Sequence, residues 1–193
     1  MRHSALLFFV LVLCAGQDAP PPAQAPPAPA ASLAAGLIHE FQTKVEAYAV
    51  VHREAEKQVW PLKPGSTAAK IGRHQRELAK AIRRLRKNAA QGDIFTPRIA
   101  AEIRRLTGAA VSGPRGARVE KSLRRAEPVQ FHVVVNRSYP SGTPLQSVPP
   151  TLLLYLPELQ SELEYRIVGD TLILRDTAAN LVVDFMRQAI PGV

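Results

Sequence analysis

The chain has 193 residues, enough for one domain with a substantial core or two small ones, and a formal charge of +9. Its single cysteine, Cys14, excludes an internal disulfide. The charge is segregated: residues 70–125 hold sixteen of the 25 Lys and Arg against four acidic residues, whereas residues 126–193 hold four against seven.

Arg2 and His3 precede an uninterrupted apolar run, Ala5 to Leu13 (ALLFFVLVL), and the small residues Cys14, Ala15 and Gly16 follow. A charged start, a short apolar run and small residues in that order predict a cleaved export signal over residues 1–16. The run is too short for a membrane span, which needs about 20 residues. Cys14 opens a second reading, lipid attachment at a bacterial lipoprotein signal, but the bulky Leu13 before it favours ordinary cleavage near Ala15 to Gln17. The expected address is periplasmic or secreted. Residues 17–32 alternate proline and alanine with almost no charge, the composition of a disordered spacer.

The helical part is expected over residues 33–112. Leu37, Phe41, Val45, Tyr48, His52, Ala55 and Val59 recur at spacings of three and four, one stripe of a helix over residues 33–59. Pro61 stops it after Trp60, and the short connector WPLKPG predicts an antiparallel helical hairpin with Trp60 packed over the end of its core. From Ser66 to Gly92, Ile71, Gln75, Leu78, Ile82, Leu85 and Ala89 fall on one face of a second helix. Arg73, Arg76, Lys80, Arg83, Arg84 and Lys87 fall on the opposite face. Ser66 or Thr67 can cap its start, and Gly92 offers a left-handed stop. Thr96 then reads as an N-cap, Pro97 as the first helical residue and Phe95 as a staple for a third helix carrying Ile99, Ile103, Leu106 and Ala110.

Residues 113–127 are basic and glycine-interrupted, either a mobile linker or a short helix from Arg118. Residues 128–193 change period. Val129, Phe131, Val133 and Val135 alternate as a strand, and TLLLYL after two prolines reads as a short helix. Leu163, Tyr165 and Ile167 alternate, Gly169-Asp170 makes a hairpin turn, and Leu172 and Leu174 alternate in return. Leu181, Val183 and Phe185 supply a third strand; the segment also has helical spacing, and the adjacent Val182 and Val183 favour strand. The fold class is therefore α+β: a helical hairpin with a third helix, then a small antiparallel meander with a short helix.

Few residues point to chemistry. His52 interrupts the apolar stripe of the first helix, and counting away from the connector places it opposite His74 and Gln75. The pattern fits a hydrogen-bonded layer fixing hairpin register, or a metal site from His52, His74 and Glu56, although two histidines at one level are fewer ligands than a tight site needs. Asp176, before a turn, is expected to bond its own backbone. No nucleophile elbow, phosphate loop, cysteine–histidine set or cofactor motif occurs, so no catalytic or cofactor-binding residue is assigned and an enzyme is not the expected class. The cationic face of the second helix, Arg73, Arg76, Lys80, Arg83, Arg84 and Lys87, is the candidate site. Its excess charge continues through Arg98, Arg104, Arg105, Arg115, Arg118, Lys121, Arg124 and Arg125. Export removes nucleic acid from the expected partners and leaves anionic envelope surfaces or acidic proteins.

The string QGDIFTPRIAAEIRRL, with VWPLKPGSTAAKIGRHQRELAKAIR before it and VPPTLLLYLPELQSELEYRIVGDTLILRDTAANLVVDF after it, resembles an uncharacterised group of exported bacterial proteins. That likeness spans most of the mature chain and carries no site. Leu156 to Phe185 alone is similar to the last segment of periplasmic nickel/cobalt homeostasis proteins, which implies a three-stranded meander and a periplasmic address. The chain departs from them in Tyr165-Arg166 and in Ala179-Asn180, where a glycine turn is typical. The leading expectation is a non-enzymatic envelope protein with a cationic helical face. The alternative is a periplasmic metal-homeostasis accessory protein.

Overall fold

A computed structural model describes residues 29–124, 132–140 and 148–192. The expected leader with Cys14, most of the proline–alanine tract and residues 125–131, which include the start of the expected first strand, lie outside the described residues. Five helices precede a three-stranded sheet: α1 (Pro29–Glu56), α2 (Ala68–Leu85), α3 (Pro97–Ser112), α4 (Gly116–Arg124), α5 (Pro150–Leu153), β1 (Leu163–Val168), β2 (Thr171–Asp176) and β3 (Leu181–Met186). The architecture is α+β. No helix among the described residues is long and apolar enough to cross a membrane.

The helical signals act largely as their chemistry dictates. The α1 stripe is the core face, with Phe41, Val45, Tyr48, His52 and Ala55 buried, and the helix begins at Pro29, inside the expected spacer. The Thr67 and Thr96 hydroxyls accept the Lys70 and Ile99 backbone N–H groups at 3.4 Å, and Pro97 opens α3 where its missing N–H is not needed. Phe95 is buried and stacks on Phe41 of α1, ring centroids 5.8 Å apart. The basic stretch after Gly113 forms a helix, and it starts at Gly116 rather than Arg118.

Three expectations fail in the hairpin's second helix and connector. It ends at Leu85 instead of Gly92, because the backbone of residues 92–95 is recruited by a distant carboxylate described below. Gly92 has φ +90° within that loop. The buried face is also narrower than the stripe. Leu78, Ala79, Ala81 and Ile82 pack inward, while Ile71 and Leu85 near its ends stay 46% and 44% exposed. Trp60 does not cover the hairpin core. Val59 packs there instead, and Trp60, followed by Pro61, is 92% exposed.

The sheet is an antiparallel meander in the order β1-β2-β3. Gly169 (φ +59°) turns the first hairpin, and Asn180 (φ +50°) takes the left-handed position in the second, a conformation asparagine tolerates better than most residues. Leu174 pairs with Asp184 and Arg175 with Val182, so Val183 is the extra residue of a bulge. The bulge breaks the expected stripe: Val183 lies in the main core, whereas Phe185 turns to the opposite face with Ile173 and Val182. Within the expected strand over 129–135, residues 132–134 have no regular structure, and residues 136–139 instead lie along the free edge of β3. There Asn136 N–H bonds Val182 O at 2.8 Å and Tyr139 N–H bonds Asn180 O at 3.0 Å.

One hydrophobic core joins the two halves. Phe41, Leu78, Ile82, Ile99 and Ile103 of the helices belong to the same buried cluster as Leu163, Ile167, Leu172, Leu174 and Leu181 of the sheet. The other sheet face is covered by Val133 and Tyr139. Every β3 residue is therefore buried.

Candidate functional site

The polar chemistry of the interior is concentrated on two aspartates of the sheet. Asp176, at the end of β2, is fully buried. Its Oδ1 accepts the Ala179 N–H at 2.7 Å, the turn bond that its position before a tight turn predicts. Its Oδ2 accepts the Tyr48 hydroxyl at 2.7 Å and meets His52 Nδ1 at 2.5 Å, both from α1. His52 Nε2 lies 3.3 Å from Glu56, one helical turn on and half exposed. A chain of polar contacts thus runs from Tyr48 through Asp176 and His52 to a surface carboxylate. Burial alone would lower the His52 pKa. The Asp176 hydrogen bond and charge, with Glu56 adding, outweigh it and leave the pKa above the ordinary histidine value. Burial, then the Asp176 charge, push the Tyr48 hydroxyl far above its usual range, so it stays a donor.

Asp184, on β3 just past the bulge, is also fully buried. It accepts the N–H groups of Gly92, Ile94, Phe95 and Phe185 at 2.8–2.9 Å. Burial raises its pKa, and the four donors offset part of that. The arrangement shapes the α2–α3 loop and exhausts the carboxylate. It leaves nothing for a ligand.

The expected layer between His52 and His74 does not form. His52 is claimed by Asp176, and His74 Nδ1–H donates to the Trp60 carbonyl at 2.9 Å, which fixes its tautomer because a carbonyl only accepts. Among the described residues no three His, Cys, Asp or Glu side chains are grouped to hold a metal ion. His74, Gln75 and Glu56 instead line an open cavity with Ile71, Leu62 and Thr177, so hairpin and sheet each give it a wall. Thr177, its one hydroxyl, is bonded to Glu162 O at 3.2 Å.

The six cations of the predicted α2 face separate into two groups. Arg83 is half-buried and bonds Asn136 O at 2.7 Å and Ser138 Oγ at 3.0 Å, and Arg84 bonds Gln58 Oε1 at 3.1 Å. Those two belong to the fold. Arg73, Arg76, Lys80 and Lys87 are exposed, and among the described residues no carboxylate lies within ion-pair distance of them. Arg86, on the inner side, is spent internally: its guanidinium stacks 5.0 Å from the Tyr48 ring centroid and bonds Val183 O at 3.2 Å. Arg104 likewise bonds the carbonyls of Gln188 and Arg187. The sheet's Glu164 is taken by Arg166 and Arg175 of the sheet itself.

The described residues present a cationic strip on the outer side of α2. No family model, curated protein or solved structure matches the chain.

Proposed function

We propose that this is an exported envelope protein that works by binding, and that the outer face of α2 meets an anionic envelope surface or an acidic protein there. The observation that carries the reading is that Arg73, Arg76, Lys80 and Lys87 are exposed and have no carboxylate at ion-pair distance among the described residues. Elsewhere on the surface, some exposed cations do sit on nearby carboxylates: Arg53 on Glu46, Lys57 on Glu54 and Arg105 on Glu102. Helix α2 carries six Lys and Arg residues and one His around a single acid, Glu77, so it has little means of pairing internally. The leader-like run at residues 5–13 supports an address where lipid headgroups and acidic polymers are the available polyanions.

Cosedimentation with vesicles tests it. Each cation near an anionic membrane contributes about 1 kcal/mol, so reversing Arg76, Lys80 and Lys87 to Glu should weaken binding to phosphatidylglycerol vesicles by roughly a hundredfold or more. Wild-type binding should also fall steeply between low and high salt. Binding that survives both the reversal and high salt would overturn the electrostatic reading.

A further inference from the structure

The closed end of the α1–α2 hairpin leaves three apolar side chains in solvent. Trp60 is 92% exposed, Leu62 42% and Ile71 46%. Trp60 and Leu62 share an open cleft with Lys63, Lys70 and Arg73, where Glu77 is the single carboxylate. Leu62 also lines the adjoining cavity with Ile71. Pro61 and Pro64 stiffen the connector that carries the indole, which lowers the entropy lost if it is held against a partner.

Leaving an indole uncovered forgoes the stabilisation that burying so large a side chain brings, and the fold closes its hairpin core with Val59 instead. The position of Trp60 therefore serves contact outside the molecule better than packing within it. An amphipathic ring at the tip, backed by a branched aliphatic and three cations, matches the layered chemistry of a bilayer interface. Indoles settle at headgroup level, and Lys and Arg reach lipid phosphates. An acidic protein partner would satisfy the cations but would also need a pocket shaped for the indole, whereas a bilayer interface takes both without one.

Resting on the surface-binding reading above, we infer that the α1–α2 tip is a wedge for anionic bilayers: Trp60 and Leu62 enter the interface while Lys63, Lys70 and Arg73 contact lipid phosphates. Arg76 and Lys80 continue from that anchor along α2, and Lys87 lies in the turn just past its end.

Trp60 is the only tryptophan, so intrinsic fluorescence reports this tip alone. The chain from residue 17 onward, which holds every described element, is mixed with phosphatidylcholine vesicles with and without phosphatidylglycerol. With phosphatidylglycerol, Trp60 emission should shift to the blue and be quenched by lipids brominated in the acyl chains. Trp60→Ala should melt at the wild-type temperature yet sediment with those vesicles about tenfold more weakly, the factor that burying part of an indole supports. Cosedimentation with unmoved emission and undiminished Trp60→Ala binding would overturn the wedge and leave the surface-binding reading standing. Equal insertion into pure phosphatidylcholine would overturn the role of the cations. Binding to polyglutamate with no vesicle association would replace the bilayer by an acidic protein, and binding to neither at low salt would remove both readings.

Discussion

Tyr48, His52 and Asp176 form a linkage whose value depends on charge. A neutral hydroxyl bonded to a buried carboxylate contributes about 1.5–3 kcal/mol, more than an ordinary hydrogen bond, because the acceptor has no water to fall back on. Tyr48→Phe should therefore lower the unfolding free energy by about 2 kcal/mol, measured by urea titration. His52 adds a pH dependence with a definite sign. Its pKa is higher in the fold than in the unfolded chain, where it returns to about 6.5. Its contribution is thus complete below that value and is lost as pH rises through the raised folded value. The melting temperature should drop as pH climbs from about 6.5 upward, and His52→Gln should be less stable at the acid end and flatter across the range. A wild-type profile parallel to that of His52→Gln would remove the charged His52–Asp176 pair from the account. Only half of this site could be read from the sequence. The apolar stripe placed Tyr48 and His52 on the inner face, and the turn chemistry placed Asp176 against its own backbone. Their meeting could not be read, because the partners stand 124 and 128 residues apart and no local spacing encodes a tertiary neighbour.

Among elements, legibility follows how local the deciding interaction is. The starts of α2 and α3 were readable since a threonine hydroxyl and the N–H three residues on lie within one turn. The end of α2 is not legible locally because its competitor is Asp184, about ninety residues away, which gathers Gly92, Ile94 and Phe95 around itself. The third strand is legible from its β-branched residues but its face is not, since a single bulge residue inverts the alternation beyond it. The turn into α4 supplies a sharper case. Gly116 is buried, and a β-carbon built there would stand 1.6 Å from the Val111 carbonyl oxygen, backbone that cannot swing aside. In an exposed helix an alanine for glycine gains up to about 1 kcal/mol. Here the clash reverses the sign. Gly116→Ala should destabilise by about 2 kcal/mol or more by urea titration, whereas Ala117→Gly, next to it and exposed, should cost no more than about 1 kcal/mol.

For the whole molecule, the change of period near residue 128 suggests two parts, yet the bonds that cross between them are among the most buried in the structure. Besides the common core, Tyr48 and His52 reach Asp176, Thr107 gives its hydroxyl to Ala189 O at 2.6 Å, and Asp184 holds the α2–α3 loop. Separating the sheet from the helices would leave those carboxylates and N–H groups unpaired in newly exposed apolar surface. That cost falls on both parts together, which is the condition for all-or-none unfolding. Asp184→Ala tests this most directly, because it strips four N–H groups of their acceptor without touching any helix residue. The expected loss is about 3 kcal/mol. Helix ellipticity and amide-exchange protection of β1–β3 should fall in one transition, shifted equally to lower temperature. Helices that kept the wild-type midpoint while sheet protection collapsed would mean that the cationic hairpin stands without the sheet behind it.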